Sequence, residues 1–228
     1  MKNKIYKILL ILFFINIINS NTFSQEQFNF DITKIEILDN GNIFKGLELG
    51  IINTKDGIKI IADRFEYNKS LNVIDAYGNI RLDDTNKNIS IFSDKIKYFK
   101  NKEKIISDGN SKAINKNGIV ISGNKFEYDK IKNELKAYGD VEIDNPLKDY
   151  VIYADQITYA KNVEKIFTIG KTTSVIQSEY NFKSSDVVFF VNENKFTSKK
   201  KTVVKDLNSN FYQVDKFVYT IDNYQLKG

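Results

Sequence analysis

The sequence of 228 residues contains neither histidine nor cysteine, which excludes disulfides, cysteine nucleophiles, Ser-His-Asp triads and the usual zinc sites. Hydrophobic residues make up 42% and charged residues 28% of the chain, a globular balance, and the apolar set favours strand-forming Ile, Val, Phe and Tyr. The formal charge is +5, but beyond the first 24 residues 31 basic side chains face 29 acidic ones, so no nucleic-acid partner is indicated.

Residues 1–24 predict a secretory signal peptide. Three lysines precede an apolar run from Ile8 to Ile18, and a polar end with small residues follows. The run of about 11 residues is shorter than the roughly 20 that a membrane-spanning helix needs. We expect cleavage after Ser24, with Ser20 as the alternative site, and an uncleaved membrane anchor as the competing interpretation. The mature protein is therefore expected outside the cytoplasm.

Residues 25–57 predict a lead-in of N-terminal cap strands. Apolar side chains alternate from Phe28 to Ile37, and the segment from Asp39 to Asn42 has the composition of a turn. Terminal units of repeat arrays are commonly atypical because they cap an exposed edge. This segment is therefore interpreted as an irregular first repeat.

Residues 58–228 are predicted to form an array of repeats of about 30 residues. An anchor residue followed by apolar side chains two and four positions later recurs at 63, 94, 124, 155, 185 and 215, with spacings of 31, 30, 31, 30 and 30 residues. A glycine follows 15 residues after each of the first four anchors, at Gly78, Gly109, Gly139 and Gly170. Polar turns separate the apolar runs, which predicts stacked antiparallel hairpins and an all-β fold.

A change in the alternation predicts a corner in each repeat. Apolar side chains occupy even positions from Ile58 to Ala62, then odd positions at Phe65 and Tyr67. Since side chains on a strand alternate strictly, the change implies a bulge or bend at the small residue and the anchor. The glycine is expected at a second corner. The stacked corners predict a V-shaped trough with an apolar inside.

The anchor acids Asp63, Asp94, Asp155 and Asp215 were considered as a metal ladder. Asn124 and Ser185 take their place in two repeats, and these residue types share the ability to bond nearby backbone at a bend. A structural role is therefore favoured. The sequence predicts no catalytic residue, no metal site and no cofactor, and hence no enzyme.

The segments Ala62 to Ile80 and Gly123 to Val141 carry the motif most clearly, and they resemble the OstA-like lipopolysaccharide-transport family over roughly residues 30 to 228. That family includes a periplasmic bridge protein and the periplasmic N-terminal domain of the outer-membrane translocon. The resemblance implies a β-jellyroll, open along one side, whose interior carries lipopolysaccharide acyl chains. It also implies a periplasmic location associated with the outer membrane. Both a bridge protein and an N-terminal fragment of the translocon, truncated near Gly228, stay open.

The implied partners are lipopolysaccharide, neighbouring jellyrolls joined by pairing of edge strands, and components of the translocon. The predicted lipid-binding residues are the column of apolar positions Phe65, Tyr67, Ile96, Tyr98, Phe126, Tyr128, Ile157 and Tyr159. We expect Phe126→Asp to block lipid loading with the fold retained. The alternative function is a β-solenoid adhesin or envelope scaffold with a dry core and parallel coils. A carbohydrate-active β-helix enzyme is a weaker third possibility.

Overall fold

The computed structural model describes residues 28–223 and 225–228. The predicted signal peptide lies outside the described residues and stays a prediction. The all-β prediction is confirmed: the described residues form a 20-stranded sheet, interrupted by short 3₁₀ turns. Across these residues, no helix has the length and apolar character needed to cross a membrane.

The strands fall into three groups by length and position. Six short strands come first: β1 (Phe28–Ile32), β2 (Ile35–Leu38), β3 (Ile43–Gly46), β4 (Gly50–Thr54), β5 (Ile58–Ala62) and β6 (Arg64–Asn68). Seven long strands follow: β7 (Val73–Asp84), β8 (Ile89–Phe99), β9 (Lys104–Asn115), β10 (Val120–Asp129), β11 (Glu134–Asn145), β12 (Tyr150–Ala160) and β13 (Lys165–Ile176). Seven short strands end the array: β14 (Tyr180–Ser185), β15 (Val188–Phe190), β16 (Lys195–Ser198), β17 (Thr202–Lys205), β18 (Phe211–Val214), β19 (Phe217–Thr220) and β20 (Gln225–Lys227). The 3₁₀ turns are Asp39–Gly41, Lys100–Lys102, Lys161–Val163, Val191–Glu193 and Ile221–Asn223.

These strands form two walls that share the long strands. In the first wall, β1, β4 and β5 precede one half of each long strand, and β14, β17 and β18 follow. In the second wall, β2, β3 and β6 precede the other halves, and β15, β16, β19 and β20 follow. All of these pairings are antiparallel, as the hairpin grammar of the sequence predicts. Each long strand therefore belongs to both walls and bends between them.

The bends lie where the alternation of the sequence changes. The pairing register of the long strands shifts between Tyr77 and Ile80, Phe92 and Lys95, Gly123 and Lys125, Tyr138 and Val141, and Ala154 and Gln156. A register shift of this kind is a bulge, which bends the strand and lets its two halves join different walls. The predicted corner is confirmed.

The repeated glycine makes the corner turn together with the residue after it. Gly109 has φ +78° and Asn110 has φ +43°, a left-handed conformation that glycine adopts freely and that asparagine tolerates. The Asn110 amide donates a hydrogen bond to Asp94 Oδ2 at 2.8 Å, and Asn79 donates to Asp63 in the same way. The anchor acid therefore fixes the conformation of the opposite corner, which supports its structural interpretation.

The fifth repeat differs from the register that the sequence suggested. There, the Asp186 backbone N–H donates to the Gly170 carbonyl at 3.2 Å, and the Gly170 N–H donates to Asp186 Oδ1 at 3.0 Å. The corner acid is thus Asp186 and not the aligned Ser185. The bulge absorbs one residue before the alternation resumes at the buried Val187 and Phe189, so the apolar spacing alone placed the anchor one position early.

We expect Gly109→Ala to destabilise the protein by roughly 1 kcal/mol more than Gly41→Ala, judged from the cost of a left-handed alanine plus a contact. Both glycines have positive φ, so both substitutions strain the backbone. A Cβ at Gly109 would lie 2.7 Å from Asp94 Oδ2 and 3.1 Å from Asp94 Cβ, whereas a Cβ at Gly41 would meet nothing within 4 Å. Urea unfolding of the two variants measures the difference. Equal losses would show that Asp94 moves aside freely.

The core lies between the two walls. Phe28 of the first wall packs edge-on against Tyr67 of the second with ring centroids 5.0 Å apart, and Tyr150 packs against Phe189 at 4.9 Å. The buried apolar residues of both walls form a single cluster that runs the length of the array. Burial of one such side chain stabilises a fold by roughly 1.5–3 kcal/mol, so contacts between the walls dominate stability.

Candidate functional site: the mouth of the trough

The predicted lipid-binding column lies inside the trough, in the shared core. Seven of its eight members are at most 3% exposed, namely Phe65, Ile96, Tyr98, Phe126, Tyr128, Ile157 and Tyr159. Tyr67 is partly buried against the same cluster. The structure therefore brings the whole column together, packed against side chains of the opposite wall. Contact between this column and lipid stays a prediction.

The tyrosines of the column point their hydroxyl groups toward one edge of the core. Tyr98 donates to Glu103 at 2.9 Å, Tyr128 to Asp84 at 3.0 Å, and Tyr159 to Glu164 at 2.5 Å. Burial raises the pKa of Tyr98, Tyr128 and Tyr159 well above the usual range, and the neighbouring carboxylates raise these pKa values further. The hydroxyl groups therefore stay protonated and serve as donors.

That edge is the mouth of the trough, where the turns of the two walls meet. We define the mouth by the turns at residues 55–57, 85–88, 116–118, 146–149 and 177–179 of the first wall and 69–72, 100–103, 130–133, 161–164, 191–194 and 221–223 of the second. The corners join the walls covalently on the opposite side. Across the mouth the walls are joined by polar side chains alone in the contacts that follow.

The most charged of these contacts centres on Lys130. Its Nζ contacts Asp56 Oδ2 across the mouth and lies 2.7 Å from Glu103 Oε2, while Lys100 Nζ lies 2.9 Å from Asp56 Oδ1. Burial by itself would raise the pKa of Asp56, but hydrogen bonds from Lys130, Thr54 and Lys100 bring it well below the usual range. The cluster is therefore charged at neutral pH, with opposite charges paired between the walls.

Further contacts continue along the mouth toward the C-terminal end. Lys161 Nζ donates to the Lys87 carbonyl at 2.7 Å, and Lys148 Nζ lies 3.4 Å from Asp222 Oδ1. Like the contact of Lys130 with Asp56, each joins residues 74 apart in the sequence. Tyr128 and Asp84, 44 residues apart, add a buried hydrogen bond across the mouth. The mouth is therefore bridged at intervals of about one repeat.

This arrangement closes the apolar core with groups that water can replace. An exposed ion pair contributes roughly 0–1 kcal/mol because the separated charges are well hydrated. Parting the walls at the mouth would cost mainly the exposure of the core, which inserted acyl chains would cover again. Within the described part of the chain, no group of three or more acidic side chains could hold a metal ion.

Sequence reasoning did not find the residues of the mouth. Lys100, Lys130 and Lys161 each begin the turn after a long strand, at spacings of 30 and 31 residues. That phase was available as a signal, although the turns were interpreted as solvated. The partner in the opposite wall is not visible in the sequence, because it depends on how far one wall is offset along the other.

The ends of both walls present edge strands. Among the described residues β1, β2, β18 and β20 each pair with one neighbour. Apolar side chains are exposed on two of them, at Ile35, Ile37 and Leu38 of β2 and at Phe211 and Tyr212 of β18. Exposed apolar edge strands are templates for pairing with another chain.

Comparisons with known proteins are few. No protein-family model matches the sequence, and no curated protein is significantly similar to it. Solved structures that match include the crystal structure of LptH, the LptA homologous periplasmic component of the conserved lipopolysaccharide transport device from Pseudomonas aeruginosa. The chain is similar to it with a TM-score of 0.45 and 15% identity, over 49% of this chain and 82% of LptH. At this level of similarity the fold rests on the strand pairings given above, and any function must be argued from this chain's own residues.

Proposed function

We propose that the protein is a carrier, not an enzyme, which binds the acyl chains of lipopolysaccharide between its two walls and passes lipopolysaccharide across the periplasm to the outer membrane. The sequence resemblance suggests this cargo. The observation that carries the proposal is a continuous apolar interior, closed along one side by polar bridges between otherwise separate walls. Each acyl CH₂ buried there would gain about 0.8 kcal/mol.

The column of predicted lipid-binding residues is placed to receive those chains. Phe126 and Tyr128 face the interior from the middle of the array, and their neighbours in adjacent repeats continue the same surface along it. In the closed state these side chains contact the opposite wall. When the walls part, the same surface would become the lining of an apolar groove, and a chain in it would move along the array without meeting a charged side chain.

The edge strands are the proposed sites for partner proteins. A neighbouring jellyroll that added a strand to β2 at one end, or to β18 at the other, would continue both the sheet and its apolar interior. Such an addition would also cover Ile37 and Phe211, which are 60% and 69% exposed. We propose that neighbouring bridge proteins and translocon components bind in this way, which places the protein in the periplasm and next to the outer membrane.

One observation favours the alternative of an envelope scaffold that binds no lipid. The interior is filled by the protein's own side chains, with Ile60, Ile96 and Ile157 fully buried. A parallel-coil solenoid, the form in which we first considered this alternative, has a different topology, because the described pairings are antiparallel. The scaffold would therefore be the same jellyroll with walls that stay together.

Photocrosslinking in a Gram-negative envelope distinguishes the two functions. A photoreactive phenylalanine analogue at Phe126, which is 1% exposed, should capture lipopolysaccharide, because acyl chains between the walls would lie against this side chain. The same analogue at the exposed Lys132 serves as the control and should capture none. Capture at neither position, with only protein partners crosslinked, would favour the scaffold.

A further inference from the structure

Two buried lysines occupy equivalent positions in neighbouring repeats at the mouth. Lys130 and Lys161 are each 8% exposed. The backbone N–H of Lys130 donates to the Glu103 carbonyl at 3.0 Å, and that of Lys161 donates to the Asn133 carbonyl at 3.1 Å. The two lysines therefore share backbone setting and burial, and their surroundings can be compared position by position.

The carboxylates that neutralise Lys130 have no counterpart around Lys161. Asp56, which contacts Lys130 across the mouth, corresponds to Lys87, and Glu103 corresponds to Asn133. Lys161 Nζ donates to the backbone carbonyl of Lys87, and it takes part in no salt bridge with the described residues. A buried cation without an ion-pair partner is costly and calls for another source of negative charge.

The acidic side chains nearest to Lys161 are already engaged. Glu164 Oε2 accepts the Tyr159 hydroxyl at 2.5 Å. Asp84 accepts the Tyr128 hydroxyl at 3.0 Å and the Lys87 backbone N–H at 3.0 Å. Burial lowers the pKa of Lys161, and although Glu164 and Asp84 act in the opposite direction, Lys116 and Lys87 lower it further. The balance around this amine is therefore short of negative charge.

Lys161 lies in a pocket of suitable size and composition for a small anion. The pocket of about 260 Å³ is also lined by Lys87, Lys116 and Asn133. It is smaller than the roughly 300–1,000 Å³ of pockets that take drug-sized ligands. Asn133 Oδ1 is a buried acceptor with no hydrogen-bond partner among the described residues. The pocket thus offers cationic donors together with one acceptor that lacks a donor.

We propose that this pocket binds a monoprotonated phosphate group, with Lys161 as its buried anchor and Lys87 and Lys116 as outer cations. The phosphate oxygens would accept hydrogen bonds from the lysine ammonium groups, which bind phosphate as point charges. The phosphate O–H would donate to Asn133 Oδ1. One ligand would thereby neutralise the buried cation and satisfy the unpaired acceptor.

The phosphate could come from a free ion or from the head group of a lipid. The pocket opens at the mouth, beside the buried ring of Tyr159, so acyl chains attached to a bound phosphate could continue into the core. The phosphate site itself does not rest on the proposed function. Inorganic phosphate and monomeric dihexanoyl phosphatidic acid are therefore used as separate probes.

Titration of the whole protein with each probe, followed by backbone amide NMR shifts, tests the site. We expect saturable shifts at residues 87, 116, 133 and 161. In Lys161→Gln the affinity should fall by about tenfold or more, the effect of losing a charge-assisted hydrogen bond. Lys132→Gln removes the same charge from an exposed lysine of the neighbouring turn and should bind as the parent protein does.

Lys87→Asp provides a second test that does not remove the buried amine. It gives Lys161 the cross-mouth carboxylate that Asp56 gives Lys130, so it should abolish phosphate binding and keep the fold. Similar affinity for the two probes would identify a free-ion site, and much tighter binding of the phosphatidic acid would identify a head-group site. Absence of saturable shifts with both probes, or equal binding by Lys161→Gln and Lys132→Gln, would overturn the proposal.

Discussion

Phe126→Asp should abolish cooperative folding of the central repeats, with a loss of more than about 5 kcal/mol. Truncating a buried phenylalanine costs roughly 3–5 kcal/mol, and burying an unpaired carboxylate costs several more. Entire domains are stable by only about 5–15 kcal/mol. Phe126 is 1% exposed and packs in the core shared by both walls. Circular dichroism during thermal and urea unfolding should show an early, broadened transition.

The matched control is Ile131→Asp, which makes the same change from an apolar to an acidic side chain five residues further on. Ile131 is 74% exposed in a turn of the mouth, so its substitution should alter stability by no more than about 0.5 kcal/mol. A Phe126→Asp protein that unfolds like this control would mean that water already reaches the column, as in an open groove. The observed burial therefore argues against the expectation, based on sequence, that Phe126→Asp leaves the fold intact.

That expectation shows what a strand pattern can and cannot predict. Alternation placed Phe65, Phe126 and Tyr159 on one inner surface, because the side-chain period of a strand is fixed by its geometry. The parity change located the corners, since only a bulge reconciles it with continuous pairing. The same pattern does not say whether the inner surface meets another wall, water or lipid. In the structure it meets the opposite wall.

The mouth shows a second limit. The sequence gives Lys130 and Lys161 the same place in the repeat, but one meets Asp56 and the other meets Lys87. Both contacts span 74 residues, a separation set by the offset between walls and not by the period of about 30. A residue pair whose spacing is no multiple of the repeat has no signature in a single sequence. The charge pattern of the mouth therefore required the structure.

A covalent link across the mouth should lower lipopolysaccharide binding by at least about tenfold, equivalent to 1.4 kcal/mol. Lys148 and Asp222 approach to 3.4 Å from opposite walls, and both are well exposed, so Lys148→Cys with Asp222→Cys should fold normally. The natural chain has no cysteine, which makes a short bifunctional thiol reagent specific for this pair. The link should act because acyl chains reach the buried core only when the walls part. Fluorescent lipopolysaccharide measures binding before and after linking.

The control link joins two turns of the same wall at the same end of the mouth. Ser178 Oγ and Asp149 Oδ2 are 3.5 Å apart within the first wall, so Asp149→Cys with Ser178→Cys accepts the same reagent without tying the walls together. Its lipopolysaccharide binding should be unchanged, because a link inside one wall leaves the mouth free to open. If both linked proteins bind as well as the unlinked ones, lipid does not enter by separation of the walls, and binding at an end of the array becomes the better hypothesis. A loss confined to the link across the mouth would make the polar bridges between the walls the barrier that lipid must cross.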